Sequence, residues 1–307
     1  MGRAVTESNG SDGQRICSSK AVSRCNTPLP GDRPITRVLK SSAFVLLVVI
    51  SNCFLAAPLA TAAVEVIAHR GASGQQAPEN TLSAIQSAWK EGCDCVEIDV
   101  HLSRDGHAVV IHDRTVDRTT NGIGRVSDLT ISELRKLRIS WKGGVERIPT
   151  LAEVLKTIPE RGRLFVELKC GPEILPELKR LIDESGKKCR QIVIISFDYH
   201  TLARSRKALP QFKHYWLTMA LWSSMWPDII SRAKLAEFDG VNVDFRMSVS
   251  SASVAAAHAA GLKVYAFTIN HTSQANEALD YLVDGITTDE PALVQQLTAR
   301  PIGRTAL

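Results

Sequence analysis

The stretch Val64–Ile85, VEVIAHRGASGQQAPENTLSAI, holds the unit from which the fold is predicted. It opens on the apolar run VEVIAH, which has the composition of a buried strand, and it ends on TLSAI, where a helix-like pattern begins. Between the two, His69 and Arg70 follow the strand and Gly71 turns the chain away. Two basic side chains at the end of a strand indicate a place for an anion.

The same strand-then-helix unit recurs along the chain. Seven more apolar, β-branched runs follow, and seven of the eight runs have a helix-like stretch before the next: CVEIDVHL, RLFVELK, QIVIISF, KHYWLTM, GVNVDF, KVYAFTI and DGITTD. Such alternation predicts parallel strands joined by right-handed crossovers. Eight units in about 250 residues predict an α/β fold of the (β/α)₈, or TIM barrel, type.

One interval between the predicted strands is too long for a single helix. Nearly fifty residues, among them HAVVIHD and ISELRKL, separate CVEIDVHL from the helix-like TLAEVLKTI. We therefore expect a small insertion subdomain after the second strand, at about residues 103–148. The barrel domain as a whole is expected at residues 63–300.

Residues 1–62 have a different composition from the barrel domain. Residues 1–40 are polar and basic, whereas residues 41–62 carry no charge. Arg37 and Lys40, then the apolar run Phe44–Ile50, then small residues predict a signal peptide cleaved after Ala62. The alternative is an uncleaved membrane anchor, which would be the protein's only membrane contact. Both predict an exported protein, periplasmic or extracellular.

The charge and the cysteines exclude some classes of protein. Residues 1–40 hold seven Lys and Arg against three Asp and Glu, so the rest of the chain carries about +1 of the formal +5. That balance does not favour binding to nucleic acid. The barrel domain contains Cys93, Cys95, Cys170 and Cys189, which we expect as buried free thiols. The sequence carries no signal of oligomeric state.

Charged side chains recur near the ends of the predicted strands, where the active sites of such barrels lie. Glu97 with Asp99, and Glu167 with Lys169, are spaced i, i+2, so each pair shares one face of its strand. Carboxylates are costly in an apolar barrel interior. The three carboxylates favour a hard divalent cation, Ca²⁺ or Mg²⁺, which takes oxygen ligands. The alternative is internal ion pairing, for example Lys169 with Glu167 and Arg70 with Asp99.

Basic residues and histidines complete the predicted site. Arg70 and Lys169, together with a cation, would place three positive groups around a phosphate. His69 and His112 come from different strands and supply an acid and a base, because imidazole is the side chain best suited to exchange protons at neutral pH. This set of side chains is suited to displacing an alcohol from a phosphodiester.

Five motifs give the chain a family resemblance. HRG, PENT, ExD, HD and ExK occur in order in HRGASGQQAPENTLSAI, VEIDVHLSRDGHAVVIHD and VELK. In these motifs the chain resembles the glycerophosphodiester phosphodiesterases, from about Val66 to Pro291. The resemblance implies a barrel with an insertion after the second strand. It also implies metal-dependent hydrolysis of a small-molecule glycerophosphodiester to sn-glycerol 3-phosphate and an alcohol.

The resemblance also assigns roles to the candidate residues. It implies that His69 and His112 are the general acid and base. It implies that Glu97, Asp99 and Glu167 hold the metal.

Four further residues take their roles from the resemblance. Arg70 and Lys169 are expected to contact the phosphate, and Glu79 of PENT to orient the site. Where the family often reads WTVN in its seventh strand, this chain has FTIN, so Phe267 stands where an aromatic wall for the glycerol is expected. Without an indole N–H, the preference for the glycerol or for the alcohol is expected to differ.

Several interpretations stay open at this point. A phospholipase C-like or lysophospholipase D-like phosphodiesterase could use the same barrel, because fold alone does not settle function. A non-catalytic exported phosphodiester-binding protein is a third possibility. His101 is expected to close the site structurally, and Asp289 to cap the last helix.

Overall fold

The computed structural model describes residues 63–71 and 77–299. The predicted leader, with its signal peptide or anchor at residues 1–62, lies outside the described residues. Within the described ranges, no helix has both the length and the apolar character that crossing a bilayer requires.

The described residues form eleven strands and nine α-helices. The strands are β1 (Glu65–Ala68), β2 (Cys95–Leu102), β3 (Ala108–Val110), β4 (Ile139–Trp141), β5 (Gly144–Glu146), β6 (Arg163–Leu168), β7 (Ile192–Ser196), β8 (Lys213–Thr218), β9 (Gly240–Asp244), β10 (Lys263–Phe267) and β11 (Gly285–Thr288). The helices are α1 (Leu82–Lys90), α2 (Ile131–Leu134), α3 (Leu151–Thr157), α4 (Leu175–Ser185), α5 (Tyr199–Ala208), α6 (Trp226–Leu235), α7 (Ser251–Ala259), α8 (Thr272–Asp280) and α9 (Pro291–Thr298).

Eight of the strands close into a parallel barrel. Around the barrel they run β1, β2, β6, β7, β8, β9, β10 and β11, and β11 pairs with β1 again. Each of these strands is followed by a helix before the next barrel strand, or by α9 at the end. The predicted (β/α)₈ barrel is therefore confirmed, and all eight predicted strands belong to it.

The alternation of side chains along the strands divides the core into two layers. Val66 and Ala68 of β1 pack with the helices, whereas Ile67 packs inside the barrel. The rings of Phe165, Tyr215 and Tyr265 fill that interior, with ring centroids 4.6 Å apart for the two tyrosines. These rings fill the interior, and the active sites of such barrels lie above it, at the carboxyl ends of the strands.

The segment between β2 and α3 contains β3, α2, β4 and β5, in the region where an insertion is predicted. β3 runs antiparallel to β2, and β4 pairs with β5 in a separate two-stranded sheet. The segment has a hydrophobic cluster of its own, which includes Val116, Leu134 and Ile148. α3 begins with a capping box between Thr150 and Glu153, which fixes where the barrel pattern resumes.

The cysteines of the described residues are free thiols. Cys93 and Cys95 are buried, as expected, and burial raises the pKa of Cys93 to about 12. Cys170 is only partly buried, and the expectation of a buried thiol is wrong at Cys189, which is exposed. Cys189 precedes β7 in a short 3₁₀ turn at the surface.

The amino end of the barrel is tied together by one carboxylate. Glu65 of β1 forms an ion pair with Arg163 of β6, and the Tyr265 hydroxyl donates to it at 3.0 Å. All three side chains are at least partly buried, and they come from three different strands. Removal of the Arg163 guanidinium would leave the partly buried Glu65 carboxylate without its counter-charge.

We expect Arg163→Met to lower the free energy of unfolding by about 1–3 kcal/mol, because Glu65 loses its charged donor. Urea unfolding followed by circular dichroism measures it. Lys179→Met is the matched control, because it breaks an exposed ion pair with Asp183 on α4 and should cost under about 1 kcal/mol. Equal losses in the two variants would contradict the structural role of the Glu65 cluster.

Candidate functional site

Three carboxylates from two neighbouring strands form the centre of the site. Glu97 and Asp99 lie on one face of β2, and Asp99 is in register with Glu167 of β6. The three residues are 3%, 1% and 8% exposed, and one carboxylate oxygen from each lies within 4.8 Å of the others. The i, i+2 pattern thus places all three side chains together, as predicted.

Burial and mutual repulsion change how these carboxylates titrate. Burial raises the pKa of Glu97 well above its usual range, and the negative charges of Asp99 and Glu167 add to this rise. Burial, together with the smaller effect of the Asp99 charge, raises the pKa of Glu167 to about 7. Burial acts in the same direction on Asp99, but Lys169 and Arg70 outweigh it and lower the pKa of Asp99. Near neutral pH the negative charge of the cluster is therefore reduced either by bound protons or by another cation.

The predicted internal ion pairs are present but incomplete. Lys169 Nζ lies 2.8 Å from Glu167 Oε1 and 3.5 Å from Asp99 Oδ1, and Arg70 Nε lies 3.4 Å from Asp99 Oδ2. Among the described residues, the buried oxygens Glu97 Oε1 and Asp99 Oδ1 have no hydrogen-bond partner. Buried oxygens of this kind are rare in native proteins, and a bound ion or an ordered water usually accounts for them. The cluster therefore fits a divalent cation, which would bind these oxygens.

The turn after β1 brings the backbone itself to the cluster. Arg70 has a positive φ of 51°, which is unusual for a residue with a side chain, and its N–H donates to Glu97 Oε2 at 3.0 Å. Gly71 follows at φ 85°, and a β-carbon there would lie 2.7 Å from the backbone nitrogen of Ile85. Glycine is needed so that the turn can pack against α1 while Arg70 faces the carboxylates.

His69 is oriented by a residue from the far end of the sequence. Its Nδ1 lies 2.7 Å from Asp289 Oδ1, and its Nε2 lies 4.0 Å from Glu97 Oε2. Asn270 donates to the other Asp289 oxygen at 2.7 Å. Burial opposes the shift, but the hydrogen bond to His69 lowers the pKa of Asp289. The imidazole is therefore held with Nε2 towards the carboxylates.

The expectation that Asp289 caps the last helix is wrong. The N-cap position of α9 is Glu290, which makes no side-chain capping bond. Asp289 instead contacts His69 because β11 pairs with β1 and places the two strand ends side by side. That pairing joins residues 220 positions apart and has no local sequence signal.

His112 has a similar carboxylate partner, supplied by its neighbour in the chain. Its Nδ1 lies 2.6 Å from Asp113 Oδ1. Both residues lie just beyond β3, whereas the sequence analysis had placed His112 in a strand, so that expectation is wrong by two residues. The His101 ring Nε2 lies 3.1 Å from the backbone oxygen of His112, so His101 supports this loop and is not placed in the carboxylate cluster.

Glu79 links the turn that carries Arg70 to the loop that carries His112. It bonds to Arg70 Nη1 at 3.0 Å and to Arg118 Nη2 at 2.7 Å, and Arg118 also bonds Asp113. Burial opposes the shift, but the two arginines lower the pKa of Glu79. The sequence analysis missed Arg118, because it lies in RTVDRTTNG, a stretch with no strand or helix period.

One cavity of about 360 Å³ brings most of the predicted residues together. Its lining includes His69, Arg70, Glu97, His112, Glu167, Lys169 and Phe267. Phe267 meets Phe197 edge to face, with centroids 5.7 Å apart, so the far wall of the cavity is aromatic. Asp99 is buried behind the lining and Glu79 pairs with Arg70. The arrangement combines two carboxylate-bound imidazoles, two basic groups and three buried carboxylates that could hold a cation.

Comparison with known proteins identifies the family of the chain. The model of the glycerophosphoryl diester phosphodiesterase family matches residues 69–293. Glycerophosphodiester phosphodiesterases of Caldanaerobacter subterraneus subsp. tengcongensis and Bacillus altitudinis are each 33% identical to the chain. The first alignment covers 76% of this chain and 98% of the relative, and the second covers 74% and 95%.

A solved structure is similar over the same region. It is a phosphodiesterase of Oleispira antarctica in complex with the product sn-glycerol-3-phosphate, and it is 35% identical with a TM-score of 0.69. The match covers 76% of this chain and 95% of that chain. By motif, fold and site geometry alike, the chain belongs to the glycerophosphoryl diester phosphodiesterase family.

Proposed function

We propose that this protein hydrolyses glycerophosphodiesters to sn-glycerol 3-phosphate and an alcohol, with a divalent cation, Ca²⁺ or Mg²⁺, and with His69 and His112 as the acid–base pair. The observation that carries the proposal is the pairing of each Nδ1 with a carboxylate, at 2.7 Å for His69 and 2.6 Å for His112, beside the buried carboxylate cluster. The product bound to the Oleispira enzyme supports the substrate class.

The cation would be held by Glu97, Asp99 and Glu167. When bound, it supplies positive charge that stabilises the phosphoryl transition state and lowers the pKa of a hydroxyl. With the carboxylates neutralised, Lys169 and the Nε of Arg70 would be held less tightly, while Arg70 Nη1 keeps its ion pair with Glu79. Both side chains would then offer N–H donors to phosphate oxygens, for which their fixed positive charge is suited.

The two histidines divide the proton transfers between them. One imidazole accepts the proton of the attacking hydroxyl, and the other donates a proton to the departing alcohol. Asp289 and Asp113 hold the rings in place and stabilise the imidazolium that forms. The nucleophile is either the glycerol hydroxyl beside the phosphate, which gives a cyclic phosphate that water then opens, or water itself. ³¹P NMR during turnover distinguishes these routes.

We further propose that the protein is exported, to the periplasm or the cell exterior. The support is the run of basic, apolar and small residues that ends at Ala62. Fractionation of cells that produce the full chain tests this, and recovery of the protein in the cytosol would contradict it.

We expect the purified full chain to release sn-glycerol 3-phosphate from glycerophosphocholine and glycerophosphoethanolamine with Ca²⁺ or Mg²⁺, and to lose this activity in chelator. His69→Ala and Glu97→Gln should each lower kcat by at least about 100-fold, because they remove a proton-transfer group and a cation ligand. Coupled enzymatic detection of the product measures both.

His258→Ala is the matched control for this experiment. His258 also pairs with an aspartate, Asp284, at 2.8 Å, but on α7 and next to the amino end of β11, away from the cavity. Its activity should equal that of the wild type. A folded protein that is inactive with every cation would contradict the proposal, and cleavage of lysophospholipids alone would favour the lysophospholipase D-like alternative.

Asp289→Asn tests the orientation of His69. We expect kcat to fall by about 10²–10⁴-fold with little change in KM, because an amide can hold the ring in the wrong tautomer and stabilises no imidazolium. Steady-state kinetics measures the change. The neighbouring Glu290→Gln removes a carboxylate that makes no capping bond and should be neutral. Full activity in Asp289→Asn would show that the aspartate does not serve catalysis.

A further inference from the structure

One polar side chain in the cavity has no role in the chemistry above. Asn242 lies in the middle of β9, is 2% exposed and lines the same cavity as the histidines. Its neighbours Val241 and Val243 face the helices, so the Asn242 side chain faces the barrel interior. Within the described part of the chain, its Oδ1 has no hydrogen-bond partner.

The surroundings of Asn242 make this unpaired oxygen unusual. In the neighbouring strands Leu217 and Tyr265 are in register with Asn242, and Phe267 lines the same cavity. A buried amide among apolar side chains is normally paired, because an unpaired one loses its hydration without compensation. A hydrogen-bond donor from outside the chain, either water or a group of a ligand, is therefore expected here.

The position of β9 in the barrel limits which group that is. β9 lies four strands from β2 in either direction around the barrel, so Asn242 is opposite Glu97 and Asp99. The cavity extends between these two sides. If the phosphate of a substrate lies beside Arg70 and Lys169, one of the organic groups attached to that phosphate would therefore lie beside Asn242.

We propose that Asn242 determines specificity by binding the terminal hydroxyl of the substrate's glycerol group; this rests on the proposed function. The amide oxygen accepts the hydroxyl proton, and the apolar faces of Leu217 and Phe267 pack against the glycerol carbons. The glycerol hydroxyl beside the phosphate remains near the histidines. The choline group of glycerophosphocholine has no N–H or O–H and cannot satisfy the Asn242 oxygen.

The test compares two substrates that differ by one hydroxyl. The first is glycerophosphocholine, and the second carries propane-1,2-diol in place of glycerol, with the phosphocholine on carbon 1. The second keeps the hydroxyl beside the phosphate and lacks the terminal one. Choline release gives kcat/KM for both. The wild type should prefer the glycerol substrate by at least about 100-fold, because a site built to bind a hydroxyl rejects an analogue without it.

Asn242→Ala should reduce this preference to within about 3-fold, by lowering kcat/KM for glycerophosphocholine and leaving that for the analogue nearly unchanged. Asn242→Leu, which fills the space without accepting a hydrogen bond, should reduce the preference in the same way if the alanine variant folds poorly. Leu217→Ala is the matched control. It trims the apolar residue in register with Asn242, so both substrates should lose equally and the preference should remain.

Two results would overturn this inference and leave the proposed function standing. The first is an unchanged preference in both Asn242 variants. The second is an equal loss of kcat/KM on both substrates, which would mean that Asn242 only supports the barrel. Absence of choline release by the wild type from either substrate would overturn the proposed function and this inference with it.

Discussion

Mutual repulsion among Glu97, Asp99 and Glu167 is the constraint on which the site depends. One oxygen from each lies within 4.8 Å of the others. Carboxylates at such short distances do not all ionise unless positive charge lies beside them. Lys169 and Arg70 supply part of that charge, yet among the described residues Glu97 Oε1 and Asp99 Oδ1 have no hydrogen-bond partner. A cation held by these oxygens would leave the two basic side chains better able to bind a phosphate.

The barrel makes this arrangement possible by bringing together groups from four strands. β2 and β6 carry the carboxylates, the end of β1 carries His69 and Arg70, and the end of β11 carries Asp289. A network of charged hydrogen bonds from Arg70 through Glu79 and Arg118 continues to the His112 loop. Both imidazoles are therefore fixed relative to the cluster, which is what proton transfer in a defined direction requires.

The sequence predicted the parts of the structure that have a local period. Alternating strands and helices specified the barrel, and i, i+2 spacing placed Glu97 and Asp99 on one face. Asp289 was misinterpreted because its contact with His69 exists only once β11 pairs with β1. Arg118 and Asn242 were missed for related reasons: one lies in an aperiodic loop, and the other is an ordinary strand residue until the barrel closes around it.

Isothermal titration of the cation-free full chain with Ca²⁺ and with Mg²⁺ tests most directly whether the three carboxylates hold a cation. We expect one high-affinity cation per chain, and its loss in Asp99→Asn. Asp183→Asn, which removes an exposed carboxylate on α4, should bind as the wild type does. Absence of binding for both ions, or binding that Asp99→Asn leaves unchanged, would show that the three carboxylates are balanced by Lys169 and Arg70 alone.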